Sequence, residues 1–254
     1  MSIEIHSSDG IAVLRFARLD RKNAITADMY AQLADGLAQA QRDAAVRVVV
    51  LLGHETVFTA GNDLADFLHH PPNSDDAPVF RFLHALSGFP KPLLAGVCGV
   101  AVGVGTTMLL HCDLVYAGEN ARLSLPFVNL GLCPEAASSL LLPRLVGHPR
   151  AAELLMLGEP FDADEARELG LVNRVLPAAQ VEGFVLSQAA RLAAKPMSSL
   201  ITTKALMKEG SAQAVREQMD KEVVHFGRML REPAAREAFA AFLEKRPPDF
   251  SKIA

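Results

Sequence analysis

The sequence is poor in cysteine, and its three cysteines exclude two kinds of site. Cys98, Cys112 and Cys133 lie far apart and lack the paired spacing of a zinc site or of a disulfide framework. We therefore expect no metal site, and a reducing, intracellular compartment.

The sequence also lacks an excess of basic residues and a long apolar run. Its formal net charge is -4, whereas general nucleic-acid and membrane-surface binders need a basic face. No apolar run reaches the roughly 20 residues that span a bilayer, and the N-terminus lacks the basic start and apolar stretch of a signal peptide. These absences predict a soluble, cytoplasmic protein that binds neither nucleic acid nor a membrane.

The composition is that of an ordinary globular protein, with 50% apolar residues in a chain of 254. Strand and helix patterns alternate through about residue 180. Ile3–His6 and Ile11–Phe16 predict an opening hairpin, Thr26 predicts a helix N-cap, and the apolar runs VRVVVLLG and KPLLAGVCG predict buried strands. We expect an α/β core over residues 1–180.

The remainder of the chain, residues 181–254, has a helical pattern throughout. We expect breaks at Pro196, Gly210 and Pro233. The apolar face formed by Met219, Val223, Phe226 and Leu230 indicates a core or a subunit interface more than a ligand site.

Two glycine-containing turns are candidate binding elements. In FTAGNDL, Gly61 ends a strand and Asn62 or Asp63 can cap the next helix, which leaves N–H groups able to bind an oxyanion or a carbonyl oxygen. The alternative is a plain strand-to-helix turn. The segment GVAVGVGTTM fits neither a phosphate-binding loop nor a dinucleotide motif, so its glycines serve close packing or present further N–H groups.

One acidic residue lies in a segment that is otherwise uncharged. Glu135, in LGLCPEAASS, is the only charged residue between Arg122 and Arg144. Next to Pro134 it can compensate a helix dipole at a first turn. Alternatively, apolar surroundings raise its pKa toward that of a catalytic base. The histidines share no metal-ligand spacing, and we expect them to lie on the surface or to have hydrogen-bond partners within the fold.

Four long segments carry a family resemblance: RKNAIT, VFTAGNDLADF, FPKPLLAGVCGVAVGVG and CDLVYAGENARLSLPFVNLGLCPEAASSLLLPRLVG. Together they resemble the enoyl-CoA hydratase/isomerase (crotonase) superfamily over nearly the whole chain. The resemblance implies a spiral of ββα turns, a C-terminal helical region used in trimerisation, a trimer or dimer of trimers, and an acyl-CoA thioester as substrate, with no further cofactor.

The resemblance also implies roles for individual residues. The backbone N–H groups of Asn62 and Val104 would form the oxyanion hole. Hydratases of this family use two glutamates, and those positions are Thr107 and Phe127 here. Since neither side chain can activate water, hydratase activity is not expected.

The segment PFVNLGLCPEAASS, together with GNDL and FPKPL, resembles the type-2 Δ3,Δ2-enoyl-CoA isomerases, in which a glutamate at the position of Glu135 is the sole acid/base. Residues expected to bind substrate or CoA are Arg21, Lys22, Ala24, Ala60, Gly61, Asp63, Leu64, Gly103, Phe242 and Lys245, the last two as candidates to reach CoA from an adjacent subunit. Asp20 stands where relatives often carry a basic residue.

Three hypotheses follow. The first is an isomerase of 3-enoyl-CoA in fatty acid degradation. The second is a hydratase, or other CoA-thioester enolate chemistry, in which Glu135 has an unusual role. The third is a non-catalytic CoA-binding member of the family.

Overall fold

The computed structural model describes residues 2–69 and 76–253. Their strands form two sheets, with the orders β1-β2-β3-β5-β7-β10 and β4-β6-β8-β9. The strands are β1 (Ile3–Ser8), β2 (Ile11–Phe16), β3 (Val48–Leu52), β4 (Val57–Thr59), β5 (Leu93–Val97), β6 (Val100–Val102), β7 (Leu114–Gly118), β8 (Arg122–Ser124), β9 (Phe161–Asp162) and β10 (Arg174–Leu176).

Three consecutive strand pairs generate the spiral. In β3/β4, β5/β6 and β7/β8, the first strand joins the larger sheet and the second joins the smaller, each parallel to the equivalent strand of the next pair. The corner between β5 and β6 requires Gly99, which has φ +62°, because a Cβ there would lie 1.8 Å from the Thr56 carbonyl oxygen. The predicted spiral of ββα turns is confirmed.

Helices follow these strand pairs and make up the end of the chain. They are α1 (Ala27–Arg42), α2 (Leu64–His69), α3 (Pro78–Ser87), α4 (Val104–Thr107), α5 (Ser138–Val146), α6 (His148–Ala152), α7 (Ala163–Glu168), α8 (Val181–Ala193), α9 (Met197–Met229) and α10 (Pro233–Leu243). No helix within the described ranges combines the length and apolar character needed to cross a bilayer.

Most predicted elements are confirmed. β1 and β2 pair as an antiparallel hairpin, and the Thr26 hydroxyl caps α1 by accepting a hydrogen bond from the Met29 N–H at 3.3 Å. Pro196 and Pro233 flank α9 as expected. The break at Gly210 is wrong: α9 runs through it, because one glycine costs a helix only about 1 kcal/mol.

The two faces of the larger sheet have separate cores. Val49 and Leu51 of β3 face a core shared with α1 and α3, whereas Val48 and Val50 face a second cluster that contains residues of α8. This period of two is the pattern of a strand covered on both sides. Because both faces of the sheet are buried, its strands hold the turns at their ends in fixed positions.

Candidate active site

Two turns meet at one edge of the smaller sheet. Thr59 of β4 pairs with Ala101 of β6 in parallel register, and Asn62 and Val104 each lie three residues beyond this pair. Gly61 brings the turns into contact, since it has φ +85° and a Cβ there would lie 2.6 Å from the Val102 carbonyl oxygen. In the described part of the chain, no turn or loop hydrogen bond uses the N–H of Asn62 or Val104. Both donors are therefore available to a ligand oxygen.

The turn that carries Asn62 is fixed by helix α1 and the residues before it. The N–H of Ile25 donates to the Gly61 carbonyl at 2.8 Å, and the N–H of Asp63 donates to the Ile25 carbonyl at 2.9 Å. The hydroxyl of Tyr30 donates to Oδ1 of Asn62. Three bonds thus hold this turn from one side.

Asp63, not Asn62, caps helix α2. Its Oδ1 accepts the Asp66 N–H at 3.1 Å, and its Oδ2 pairs with the Arg18 guanidinium at 2.7 Å. Asp63 is therefore already partnered within its own chain.

The loop before α1 is anchored by Asn23, a fully buried residue that sequence reasoning missed. Its Nδ2 donates to the Phe58 carbonyl at 3.0 Å, and its own carbonyl accepts the Thr59 hydroxyl at 2.6 Å. A polar residue inside RKNAIT was the available clue. The anchor presents Arg21 and Lys22 beside the end of β4.

All but one of the candidate residues line a single cavity of 840 Å³. Its lining includes Arg21, Lys22, Ala24, Ala60, Gly61, Asn62, Asp63, Leu64, Gly103, Val104, Phe242 and Lys245, together with Asp20. Phe242 and Lys245 reach this cavity from α10 and its end in the same chain. The volume is ample for a large ligand, within the usual range for binding pockets.

Glu135 is the exception, since it lies in a separate turn just before α5. The backbone there is strained, because Ala136 has φ 59° and Ala137 has φ 54°, which L-residues other than glycine adopt at a cost of about 1–2 kcal/mol. The ring of the buried His111 bonds the Ala136 carbonyl at 2.8 Å through Nε2. Burial lowers the pKa of His111 to about 4, so at neutral pH Nε2 carries the donated proton.

Glu135 does not serve as a helix cap. The N–H groups of Ala137 and Ser139 donate instead to the carboxylate of Glu222, at 2.6 and 3.1 Å. Oε1 of Glu135 is buried and has no hydrogen-bond partner among the described residues. Dipole compensation therefore does not explain why a carboxylate stands at this position.

Glu135 faces a small, mostly apolar cavity of about 10 Å³, which has room for about one water molecule. The cavity is lined by Phe67, Val79, Phe80, Leu83, His84, Glu135, Ala136, Met219, Glu222, Val223 and Phe226. Burial, and secondarily the charge of Glu222, raises the pKa of Glu135 to about 8. A carboxyl in this state can give and take a proton near neutral pH.

The small and large cavities are neighbours. Phe67 and Phe226 line both, and their rings pack edge to face with centroids 6.1 Å apart. Negative charge on Glu135 also raises the pKa of the Tyr30 phenol, second to burial, which places the carboxylate near the tyrosine that bonds Asn62. Glu135 therefore lies beside the cavity that the two turns line.

The positions of the two hydratase glutamates hold no acid. Thr107 is fully buried, and its hydroxyl has no hydrogen-bond partner in the parts of the chain that are described. Phe127 is buried and lines the larger cavity. Neither residue can exchange a proton with a substrate at neutral pH.

Sequence reasoning missed Glu222 and Tyr30. Glu222 falls on the apolar stripe of α9, three residues after Met219 and four before Phe226. Met219 and Phe226 of that stripe are buried, and Val223 and Leu230 are partly buried against the same core. Met219, Val223 and Phe226 also line the Glu135 cavity. A glutamate at helical spacing within an apolar stripe was the clue.

The fold and the paired turns define an enzyme of the crotonase type, which binds acyl-CoA thioesters. Residues 6–252 match the family described as "Enoyl-CoA hydratase/isomerase", and the chain belongs to that family.

One solved structure and two curated proteins are similar to this chain over most of its length. The solved structure of Pseudomonas aeruginosa OdaA superposes with a TM-score of 0.94 at 48% identity, covering 95% of this chain and 98% of that one. The 4-chlorobenzoyl coenzyme A dehalogenase-2 of an Arthrobacter species is 34% identical, over 96% of this chain and 91% of its own. Human enoyl-CoA delta isomerase 2 is also 34% identical, over 82% of this chain and 54% of its own. Since equal identity accompanies different activities, the reaction has to be inferred from the site.

Proposed function

We propose that the protein is a Δ3,Δ2-enoyl-CoA isomerase in which Glu135 moves a proton between C2 and C4 of an acyl-CoA thioester. The observation that carries the proposal is the state of Glu135. It is a buried carboxyl with an unbonded oxygen, in a cavity that holds about one water, with its pKa raised to about 8.

The backbone N–H groups of Asn62 and Val104 would bind the thioester oxygen. When Glu135 takes a proton from C2, negative charge moves to that oxygen, and each donor stabilises it by about 3 kcal/mol. The resulting dienolate extends from the thioester to C4, so the protonated Glu135 can return the same proton there. The net reaction moves a double bond and consumes no water.

The acyl group would reach Glu135 from the large cavity past Phe67 and Phe226. These rings form the shared wall of the two cavities, so substrate binding requires them to separate. The cavity at Glu135 is too small for an acyl chain until they do, which keeps bulk water away from the base.

Isomerisation is favoured over hydration because of Thr107 and Phe127. A hydratase has to hold and activate a water molecule, and both positions lack a carboxylate. A non-catalytic role is disfavoured because an unpaired buried carboxyl destabilises the fold. A protein without catalysis would gain nothing from keeping one.

The test compares two substrates and one substitution. We expect the purified protein to isomerise 3-hexenoyl-CoA faster than it hydrates crotonyl-CoA, and Glu135→Gln to lower isomerase kcat by roughly 100- to 10,000-fold. Faster hydration than isomerisation would disprove the proposal.

Binding and stability serve as controls on the same variant. Calorimetry with a non-reactive acyl-CoA should give a Kd close to that of the wild type, since the proposed oxyanion donors belong to the backbone. Exposed Glu55, changed to Gln, should leave kcat unaltered. Near-normal turnover of Glu135→Gln would remove Glu135 from the mechanism.

A further inference from the structure

Glu222 is a second buried carboxylate at the Glu135 site, and the proposed reaction does not use it. It lies on α9, 85 residues from the turn it binds, and is only 5% exposed. Isolated buried carboxylates are strongly destabilising unless they are paired or hydrogen-bonded. Its position therefore requires an explanation.

The hydrogen bonds that the Glu222 carboxylate makes with described residues go to the segment that follows Glu135. Oε2 accepts the N–H of Ala137 at 2.6 Å, while Oε1 accepts the N–H of Ser139 at 3.1 Å and also its hydroxyl. No lysine or arginine pairs with it among the described residues. Its interactions are thus directed at one strained turn.

That turn needs an external restraint. Ala136 and Ala137 both hold positive φ values, a conformation that persists only where the surroundings enforce it. The His111 ring holds the Ala136 carbonyl, and Glu222 holds the next N–H. The two bonds therefore hold both ends of the peptide unit that joins Ala136 to Ala137, directly after Glu135.

We propose that Glu222 is a positioning residue for Glu135, which fixes the strained turn through the Ala137 and Ser139 N–H groups and places a second negative charge on the wall of the same cavity. The effect of Glu222 on catalysis rests on the proposed isomerase function, whereas its restraint of the turn does not depend on that function.

The charge of Glu222 has a defined effect on its neighbour. It is the second cause, after burial, of the raised pKa of Glu135, and burial raises the pKa of Glu222 itself to about 7. The other titratable groups around Glu135 are Tyr30 on α1, His84 on α3, Cys133 in the preceding loop and the His111 ring on the Ala136 carbonyl. His111 is neutral at pH 7, since burial lowers its pKa to about 4. Tyr30 and Cys133 stay neutral at pH 7, since burial raises the pKa of both.

Two variants separate the effect of the Glu222 charge from the effect of its side-chain length. Glu222→Gln removes the charge and leaves one oxygen for two N–H groups, so kcat should fall roughly 10- to 100-fold. The acid limb of kcat/KM should move about one pH unit lower, because Glu135 then ionises more easily. Glu222→Asp keeps the charge but shortens the side chain, so kcat should fall while the acid limb stays in place.

Asp220→Asn is the matched control, since it removes an exposed carboxylate from the same helix. Its kcat and pH profile should equal those of the wild type. A wild-type kcat in Glu222→Asp contradicts the proposal even if Glu222→Gln fails to fold. An unmoved acid limb and unchanged kcat in a folded Glu222→Gln would contradict it as well.

A second readout does not depend on turnover. NMR can follow the titration of the Glu135 side-chain carboxyl carbon in the wild type and in Glu222→Gln. Its signal is assigned as the one that disappears in Glu135→Gln. We expect its titration midpoint to fall in Glu222→Gln. If the wild type fails to isomerise but this midpoint falls, the proposed function is wrong and the coupling stands. An unchanged midpoint overturns the coupling itself.

Discussion

The hydroxyl of the buried Tyr30 donates a hydrogen bond to Oδ1 of Asn62, and so joins helix α1 to the turn that ends strand β4. The Tyr30 ring packs on Phe82, with centroids 5.6 Å apart. Burial and the charge of Glu135 raise the pKa of Tyr30 well above its ordinary value. The phenol therefore stays protonated, and it bonds the side chain of one residue proposed for the oxyanion hole while the charge of the proposed base acts on it.

Tyr30→Phe should lower kcat more than it lowers stability. The ring packing survives, but Asn62 loses the bond that orients its turn, so we expect kcat to fall by roughly tenfold, a fraction of what removing an oxyanion donor costs. Stability should fall by about 1 kcal/mol. Steady-state kinetics and urea unfolding measure the two effects.

The only other tyrosine in the sequence provides the control. Tyr116 packs on Phe184 in the second core cluster, on the far face of the larger sheet. Tyr116→Phe should leave kcat unchanged. Equal losses in both variants would mean that Tyr30 acts through general packing.

Gly61→Ala should damage the site through the backbone. A Cβ at this position would lie 2.6 Å from the Val102 carbonyl oxygen, at a φ of +85°. The two turns have to separate, so we expect a loss of about 1–3 kcal/mol in stability and at least a roughly 100-fold loss in kcat.

Gly210→Ala is the matched control for that substitution. Gly210 lies inside α9, where an added methyl group would meet no atom within 4 Å and the backbone has no positive φ. The change should raise the free energy of unfolding by about 0.5–1 kcal/mol and leave kcat alone. Thermal melts and kinetics on both variants decide whether the position or the added methyl matters.

Activity should rise with pH through about 8. Glu135 has to be ionised to remove the C2 proton, and its pKa is about 8, so kcat/KM should climb from about pH 6, pass half of its maximum near pH 8 and level off above about pH 9. A profile that is already flat at about pH 6 would mean that Glu135 has an ordinary pKa or is not the base.

The same pKa predicts that the free energy of unfolding falls, whereas activity rises, as the pH increases. Glu135 has a higher pKa folded than unfolded, so its contribution to stability is full below about pH 4.5 and is lost as pH rises through 8. Glu135→Gln should therefore gain stability relative to the wild type across that window, by several kcal/mol, since each pKa unit is worth about 1.4 kcal/mol. Urea unfolding at about pH 5 and about pH 8 measures the difference.

Assembly into a trimer or a hexamer remains a proposal for this chain. On the helices of residues 181–254, Leu206, Met207, Val224, Phe242 and Leu243 are each at least 60% exposed, which a monomer would leave in water. Light scattering at micromolar concentration should give three or six chains. A double Leu206→Glu, Met207→Glu variant should reduce that number.

Much of the architecture follows from local sequence. The β-branched run at Val48–Leu52 is buried on both faces because alternate side chains point to opposite cores, and Thr26 begins α1 because its hydroxyl satisfies a free N–H. Strands β9 and β10, with two and three residues, were missed, because so short a segment becomes a strand only through its partner in the sheet. The unbroken α9 likewise depends on length and packing, which outweigh one glycine.

The sequence by itself determined which residues could carry chemistry: the two glycine turns, and a lone glutamate in an apolar segment. These are local facts, since a turn needs its glycine and a charge stands out among apolar neighbours. Only the tertiary structure decided that Glu222, and not Glu135, caps the turn before α5. The separation of 85 positions between Ala137 and Glu222 explains why. A bond between distant segments exists only once packing has placed α9 against the turn, and the burial that raises the pKa of Glu135 arises from the same packing.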